Sequence, residues 1–190
     1  MSISDPSKTS VRLHEFVWLT LLKGYYRRLV ESFGFKGDEK ILDFGCGPGA
    51  ASRYIAPILE KGGGKLTCLD ISQTWIERAR KHLSMFSNVE FYAQDIRHWG
   101  EKDDYFDAVI IHFMLHDVGR SERQEVLRAL ARKMKTRAKL FIREPTKESH
   151  GMPLRVLQDL MSQSGFKQIE AKATKSLIMG SMYTAIFSKE

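Results

Sequence analysis

From Val11 to about Phe33, apolar residues recur at three- and four-residue steps: Leu13, Phe16, Val17, Leu21, Leu22, Tyr25, Leu29 and Val30. That period predicts one long amphipathic helix, which Gly34 and Gly37-Asp38 bring to an end. Beyond it the pattern changes to short apolar runs of strand length, over Lys40–Gly45, Lys65–Asp70, Asn88–Ala93, Tyr105–His112 and Lys139–Glu144. Helical patterns separate them, over Gly49–Lys61, from a Ser72 cap to Met85, and from a Ser121 cap through Met134. A last helix over Pro153–Ser164 precedes two further strands, Lys167–Ala173 and Ser181–Ser188, which flank Met179-Gly180. Strands alternating with helices of this length predict an α/β fold: a doubly wound, mostly parallel seven-stranded sheet with helices on both faces. No helix separates the last two strands, so the final strand is expected to run antiparallel.

Length and composition narrow the class without changing that plan. At 190 residues, with 43% hydrophobic and 28% charged residues, the chain reads as one globular domain, 1–190. No apolar run approaches the roughly 18–20 residues of a membrane span, and Met1 to Ser10 lacks the apolar core of a signal peptide. The two cysteines, Cys46 and Cys68, fall in or beside buried strands, which suggests reduced thiols and a cytoplasmic protein. The net charge of +7 points towards nucleic acid until the basic residues are located. The densest run, Arg128 to Lys139, spans a helix end and the following turn, so it reads as a solvated, dipole-matched helix terminus.

Chemistry enters at Ile41-Leu42-Asp43-Phe44-Gly45-Cys46-Gly47-Pro48-Gly49-Ala50. An apolar strand runs into three glycines in five residues, and Pro48 suits the first turn of a helix. This is the strand–turn–helix form of a nucleotide site. The spacing is G-x-G-x-G rather than the dinucleotide G-x-G-x-x-G, and no Lys-Ser or Lys-Thr pair follows as in a P-loop. Asp70, 25 residues past Gly45, ends the second strand where a carboxylate accepts from ribose hydroxyls. Asp43, two residues before the first glycine, repels a pyrophosphate but tolerates a ligand with ammonium and sulfonium charge.

Leu42 to Gly49 closely resembles the first motif of the class I S-adenosylmethionine-dependent methyltransferases. The resemblance continues in register at Leu69-Asp70-Ile71-Ser72, Gln94-Asp95-Ile96, Tyr105 to Ile111 and Ala138 to Ile142, covering roughly residues 40–145. Ser164-Gly165-Phe166 fits the usual approach to strand six. What the resemblance implies is a Rossmann-like core over 40–190, a helical lid over 1–35, and S-adenosyl-L-methionine as cofactor, leaving as S-adenosyl-L-homocysteine. It implies that Gly45, Cys46 and Gly47 pass beside the methionine part and ribose, with Asp43 near the amino group. Asp70 then binds the ribose hydroxyls, Ile71 and Ile96 flank the adenine, Asp95 meets its amino group, and His112 approaches with its backbone carbonyl. Thr136-Arg137-Ala138-Lys139 departs from the family, where many members have Pro-Gly-Gly, and alters a turn rather than the site.

Methyl transfer asks for proximity and alignment, and for a base only if the nucleophile must lose a proton. His112 and His116 are the candidate proton acceptors, on His112 to Asp117 after strand four. Glu144-Pro145-Thr146 and His150 offer further polar groups after strand five, and Phe16, Trp18 and Tyr25 load the first helix with aromatics that are either core or pocket wall. A metal is not expected, because a strand-ending His112 and a loop His116 do not share one helical face. The leading expectation is a methyltransferase for a small or medium-sized acceptor, with motif details resembling the branch that includes quinone-biosynthesis C-methyltransferases. An RNA or protein methyltransferase is the less favoured alternative: His112-Phe113-Met114-Leu115 is not the Asn- or Asp-Pro-Pro-aromatic tetrad of amine-methylating enzymes. A cofactor-binding sensor or partner subunit without turnover stays open, because fold does not fix function.

Overall fold

The computed structural model describes residues 11, 13, 15–100, 102–147, 151–176 and 180–190. Seven strands form one sheet, β1 (Lys40–Phe44), β2 (Lys65–Asp70), β3 (Val89–Ala93), β4 (Phe106–His112), β5 (Met134–Pro145), β6 (Phe166–Ser176) and β7 (Gly180–Lys189). Their order is β3-β2-β1-β4-β5-β7-β6. β1 with β2, β2 with β3, and β4 with β5 pair in parallel, whereas β7 runs antiparallel to both β5 and β6. The helices are α1 (Lys23–Glu31), α2 (Ser52–Gly62), α3 (Gln73–His82), α4 (Arg123–Lys133) and α5 (Leu154–Gln163). The α/β plan and the antiparallel last strand are therefore as the hydrophobic pattern predicts. No helix among the described residues is long and apolar enough to cross a membrane.

The chain groups into two compact units, residues 1–95 and 96–190. In the first, β1 and β2 bury nearly every side chain, as central parallel strands do when both faces are covered. Helices α2 and α3 pack on β2, and α3 also on β3, through Ile55, Leu59, Ile76 and Ala79. Ser72 caps α3 as expected, its hydroxyl accepting from the Trp75 backbone N–H. The N-terminal helix is not continuous. Val17–Leu21 form a π-turn, and α1 restarts at Lys23. A π-turn takes more residues per turn than an α-helix, so the apolar stripe falls out of phase across it. Tyr26, Leu29 and Val30 are buried, while Leu13, Phe16 and Leu21 face outward.

In the second unit, α4 packs on β5 and α5 on β6. The cap expected at Ser121 does not form; Glu122 and Arg123 instead donate backbone N–H bonds to the Gly119 carbonyl. Helix α4 passes straight into β5, five residues before the expected strand start. Phe106 pairs with Met134 and Ala108 with Lys139, so Lys135 to Ala138 bulge out opposite Asp107. Lys135 Nζ reaches Asp107 across this bulge at 2.5 Å, and Arg137 adopts φ 65°. A long side chain in that left-handed conformation is strained where a glycine is not. Arg137→Gly is therefore expected to stabilise the protein by about 0.5–1 kcal/mol after the extra unfolded-state entropy of glycine is deducted, read as a higher urea midpoint.

The basic run is also not uniformly solvated. Lys133 is 4% exposed, its ammonium 2.5 Å from Asp103 and above the Trp99 ring. Arg128, Arg132, Arg137 and Lys139 are exposed, as the sequence leads one to expect.

Candidate functional site

The first unit builds a clasp at the end of β1. Gly45, Gly47 and Gly49 all have positive φ (73°, 52° and 84°), which lets the chain reverse within five residues. The Gly45 and Cys46 N–H groups donate to the Leu69 carbonyl at 2.8 and 3.3 Å, tying the turn to the end of β2. Asp70, which closes β2, completes the tie: the Gly47 N–H donates to Oδ2 at 3.0 Å and the Ser72 N–H to Oδ1 at 2.9 Å. One carboxylate thus joins the glycine turn to the β2–α3 loop. Ile71 stands beside it with 48% of its surface exposed. Gln94 donates its backbone N–H to the Asp70 carbonyl, which places the half-buried Asp95 one residue further along.

Beneath the turn, Asp43 is 3% exposed and accepts the Ser52 hydroxyl at 2.5 Å. Burial pushes its carboxyl up to about 6, although the Ser52 hydrogen bond works in the opposite direction; the nearby charge of Asp70 adds to the rise. Ser52 Oγ also lies 3.2 Å from Cys68 Sγ. Cys46 and Cys68 are free and buried, and the hydrogen bond between them, with burial, raises the Cys46 thiol well above its ordinary range. A thiol so placed is a small turn residue and not a nucleophile.

The N-terminal segment covers the turn. A Cβ on Gly47 would lie 3.6 Å from Trp18 Cζ3, and the Trp18 and Trp75 rings are 6.0 Å apart. Arg78 bonds Glu15 at 2.6 Å, His82 bridges Glu15 and the Pro48 carbonyl at 3.4 and 3.3 Å, and Arg53 donates to the Leu19 carbonyl. Of the aromatics expected on this segment, Trp18 packs on the turn, Tyr25 stacks edge-on with Tyr26, and Phe16 is exposed.

The second unit carries Ile96, His112 and His116. Ile96 is buried. His112 ends β4 with its ring 4.2 Å from Phe113. Burial, with the Arg143 guanidinium, pushes its pKa down to about 3, so it stays neutral throughout the physiological range. His116 sits in a 3₁₀ turn, Leu115–Asp117, and its partner is Glu144. Glu144, the last residue of the strand expected over Lys139–Glu144, lies in β5 and is fully buried rather than presented with the polar groups that follow. Its Oε1 accepts the N–H groups of Met114 (3.0 Å) and Leu115 (2.8 Å); its Oε2 accepts the His116 N–H (3.4 Å) and lies 2.6 Å from His116 Nδ1. Arg123 secures the far side, donating to the carbonyls of His116 (2.7 Å) and Val118 (2.9 Å). Burial works against a charged His116, but the Glu144 hydrogen bond and charge, with Asp117, outweigh it and raise the pKa above 6.5. The visible signal for this cluster was an acid two residues past Ile142, at the end of the Leu140-Phe141-Ile142 strand. His150 lies outside the described residues, and among those residues no group of three or more His, Cys, Asp or Glu is arranged to hold a metal ion.

Residues 41–137, just over half of the chain, match the methyltransferase-domain family model. The carboxy-S-adenosyl-L-methionine synthase of Erwinia tasmaniensis is 23% identical over 154 residues, 77% of this chain; the chain spans 62% of that protein's length. Among solved structures, a SAM-dependent methyltransferase from Aquifex aeolicus superposes with a TM-score of 0.76 at 18% identity, covering 98% of this chain and all of that one. The N-methyltransferase NodS of Bradyrhizobium japonicum, crystallised with S-adenosyl-L-homocysteine, gives 0.74 at 17% identity, covering 96% and 93%. At these identities the structural likenesses establish the fold.

Proposed function

The chain belongs to the methyltransferase-domain family, and from that membership we propose that it moves the methyl group of S-adenosylmethionine to a small or medium-sized acceptor by in-line displacement. The observation that carries this reading is the Asp70 clasp, a strand-end carboxylate that ties a three-glycine turn to a loop bearing an exposed isoleucine. Asp70 would accept the ribose hydroxyls, and Ile71 and Ile96 would flank the adenine, with Asp95 at its amino group. Gly45, Cys46 and Gly47 would run beside the methionine part, Asp43 would favour its ammonium charge, and the His112 carbonyl would complete the set. Trp18 and its neighbours would act as a lid over the turn, and the two units would serve one catalytic domain.

The cofactor supplies a methyl carbon already activated by sulfonium, so the chain's task is binding, alignment and, where needed, removal of a proton. His116 suits proton removal better than His112, whose low pKa makes it a weak base. Lys133 and Lys135 are already paired with Asp103 and Asp107, which favours a small molecule over RNA as acceptor. Two free buried cysteines fit a reducing, cytoplasmic setting.

Titration calorimetry of the purified chain tests the premise. Saturable binding of one equivalent each of S-adenosylmethionine and S-adenosylhomocysteine is expected. Absence of binding by both would remove the reading.

A further inference from the structure

Resting on the methyltransferase reading, we propose that Glu144 is a positioning residue that sets His116 as a general base, and that the methyl acceptor is an acidic hydroxyl, a phenol or enol. An ionised carboxylate only accepts hydrogen bonds, so the 2.6 Å contact requires the proton to sit on His116 Nδ1. In the neutral ring Nε2 is then the lone-pair nitrogen. Three backbone N–H groups on the same carboxylate, with Arg123 on the carbonyls of His116 and Val118, hold the ring from both sides of the chain. Loop ordering alone requires neither a buried acid nor a fixed tautomer.

The charged groups facing His116 are Glu144 from β5, Asp117 from its own turn and Arg123 from α4. Asp117 Oδ1 lies 3.5 Å from Nε2 on a side chain that is mostly exposed, so it stabilises the ring once Nε2 gains a proton and can swing aside before that. Glu144 stabilises the charged ring at Nδ1 from a fixed, buried position.

A histidine base selects its acceptor. A neutral amine attacks with its own lone pair and needs no proton removed first. A phenol, with a pKa near that of tyrosine at about 10, lies within a few units of imidazole's ordinary value of about 6.5, whereas an ordinary alcohol is far weaker as an acid. In the transfer, the acceptor oxygen's electron pair forms the O–CH₃ bond as the C–S bond breaks. The C–S pair stays on sulfur, giving the neutral thioether, and the O–H proton goes to His116 Nε2 and then to solvent.

The test uses the full chain, S-adenosylmethionine, and catechol, 2-naphthol and 4-hydroxybenzoate as hydroxyl probes, with aniline as the amine probe. Transfer to hydroxyl probes is expected, with kcat rising with pH through a value above 6.5 as His116 loses its proton. In Glu144→Gln the side-chain amide donates to Nδ1 and forces the other tautomer. Its kcat is expected to fall on the order of a hundredfold, with the pH limb displaced and cofactor affinity unchanged. Glu144→Asp is expected to recover part of the loss. Transfer to aniline alone, no transfer to any hydroxyl probe, or a Glu144→Gln profile like that of the unaltered protein overturns the proposal. Nitrogen-15 NMR of the unaltered chain decides the point even if the variant fails to fold: an Nδ1–H tautomer is expected, and an Nε2–H tautomer overturns it. Cofactor binding by calorimetry separates the two levels, because loss of binding sinks the methyltransferase reading, whereas binding without hydroxyl transfer sinks only this one.

Discussion

Asp70→Ala is expected to weaken S-adenosylmethionine binding by about 2–3 kcal/mol, roughly 30- to 150-fold. The change removes two things at once. The carboxylate oxygens proposed to accept the ribose hydroxyls disappear, and hydrogen bonds to a charged group contribute about 1.5–3 kcal/mol. The Gly47 and Ser72 N–H groups also lose their shared partner, so the turn and the β2–α3 loop are no longer held to one another. Asp70→Asn separates these contributions, because an amide retains one acceptor and can satisfy only one of the two N–H groups. An affinity between those of aspartate and alanine is expected. Calorimetry gives the affinity and circular dichroism confirms the fold; Asp70→Ala binding as tightly as the unaltered chain would remove Asp70 from the site.

The second large effect concerns stability. Asp43→Asn is expected to stabilise the cofactor-free protein at pH 7.5 by about 1–2 kcal/mol, and to do so less as the pH falls. The sign follows from the raised pKa. With an ordinary value of 3.8 and a folded value of about 6, the folded chain keeps a proton that the unfolded chain has already released. The stabilising contribution of Asp43 is thus fully present below about pH 4 and is lost as the pH rises through about 6. At about 1.36 kcal/mol per pKa unit the full penalty approaches about 3 kcal/mol. Part is returned because an amide is an imperfect stand-in for the protonated carboxyl in a closely packed buried site. Urea unfolding at pH 7.5 and 4.5 measures the difference; a variant less stable than the original at both values would contradict the argument. The same substitution is expected to weaken cofactor binding, because it removes the carboxylate proposed to face the ammonium. A buried charge kept at a cost in stability is what a binding role would require.

The parts of the molecule that could be read in advance are those where one local rule decides. Ile41, Leu42 and Phe44 form a short apolar run against three glycines, which only a buried strand entering a tight turn explains. Ser72 before a helical stripe is an N-cap, and so it proves. The features that escaped depend on partners far away in sequence. A π-turn leaves the spacing of Val17 to Leu22 unchanged, because the shift is in backbone pairing rather than residue type. Lys133 looks like any cation at a helix end until Asp103 and Trp99 enclose it. Met134 joins a strand through Phe106, although the charged residues from Lys135 to Lys139 hide the strand pattern. Glu144 reads as a polar strand-end residue because its donors come from residues 28 to 30 positions earlier.

The tryptophan pair has a spectroscopic consequence. Of the three tryptophans, Trp18 and Trp75 pack against each other at the glycine turn with their rings tilted by 38°, whereas Trp99 is buried against Phe106. Two indoles at this distance couple electronically, so their near-ultraviolet ellipticity and emission depend on the angle and gap between the rings. The protein therefore contains an optical gauge at the turn and, in Trp99, a third indole with surroundings of its own.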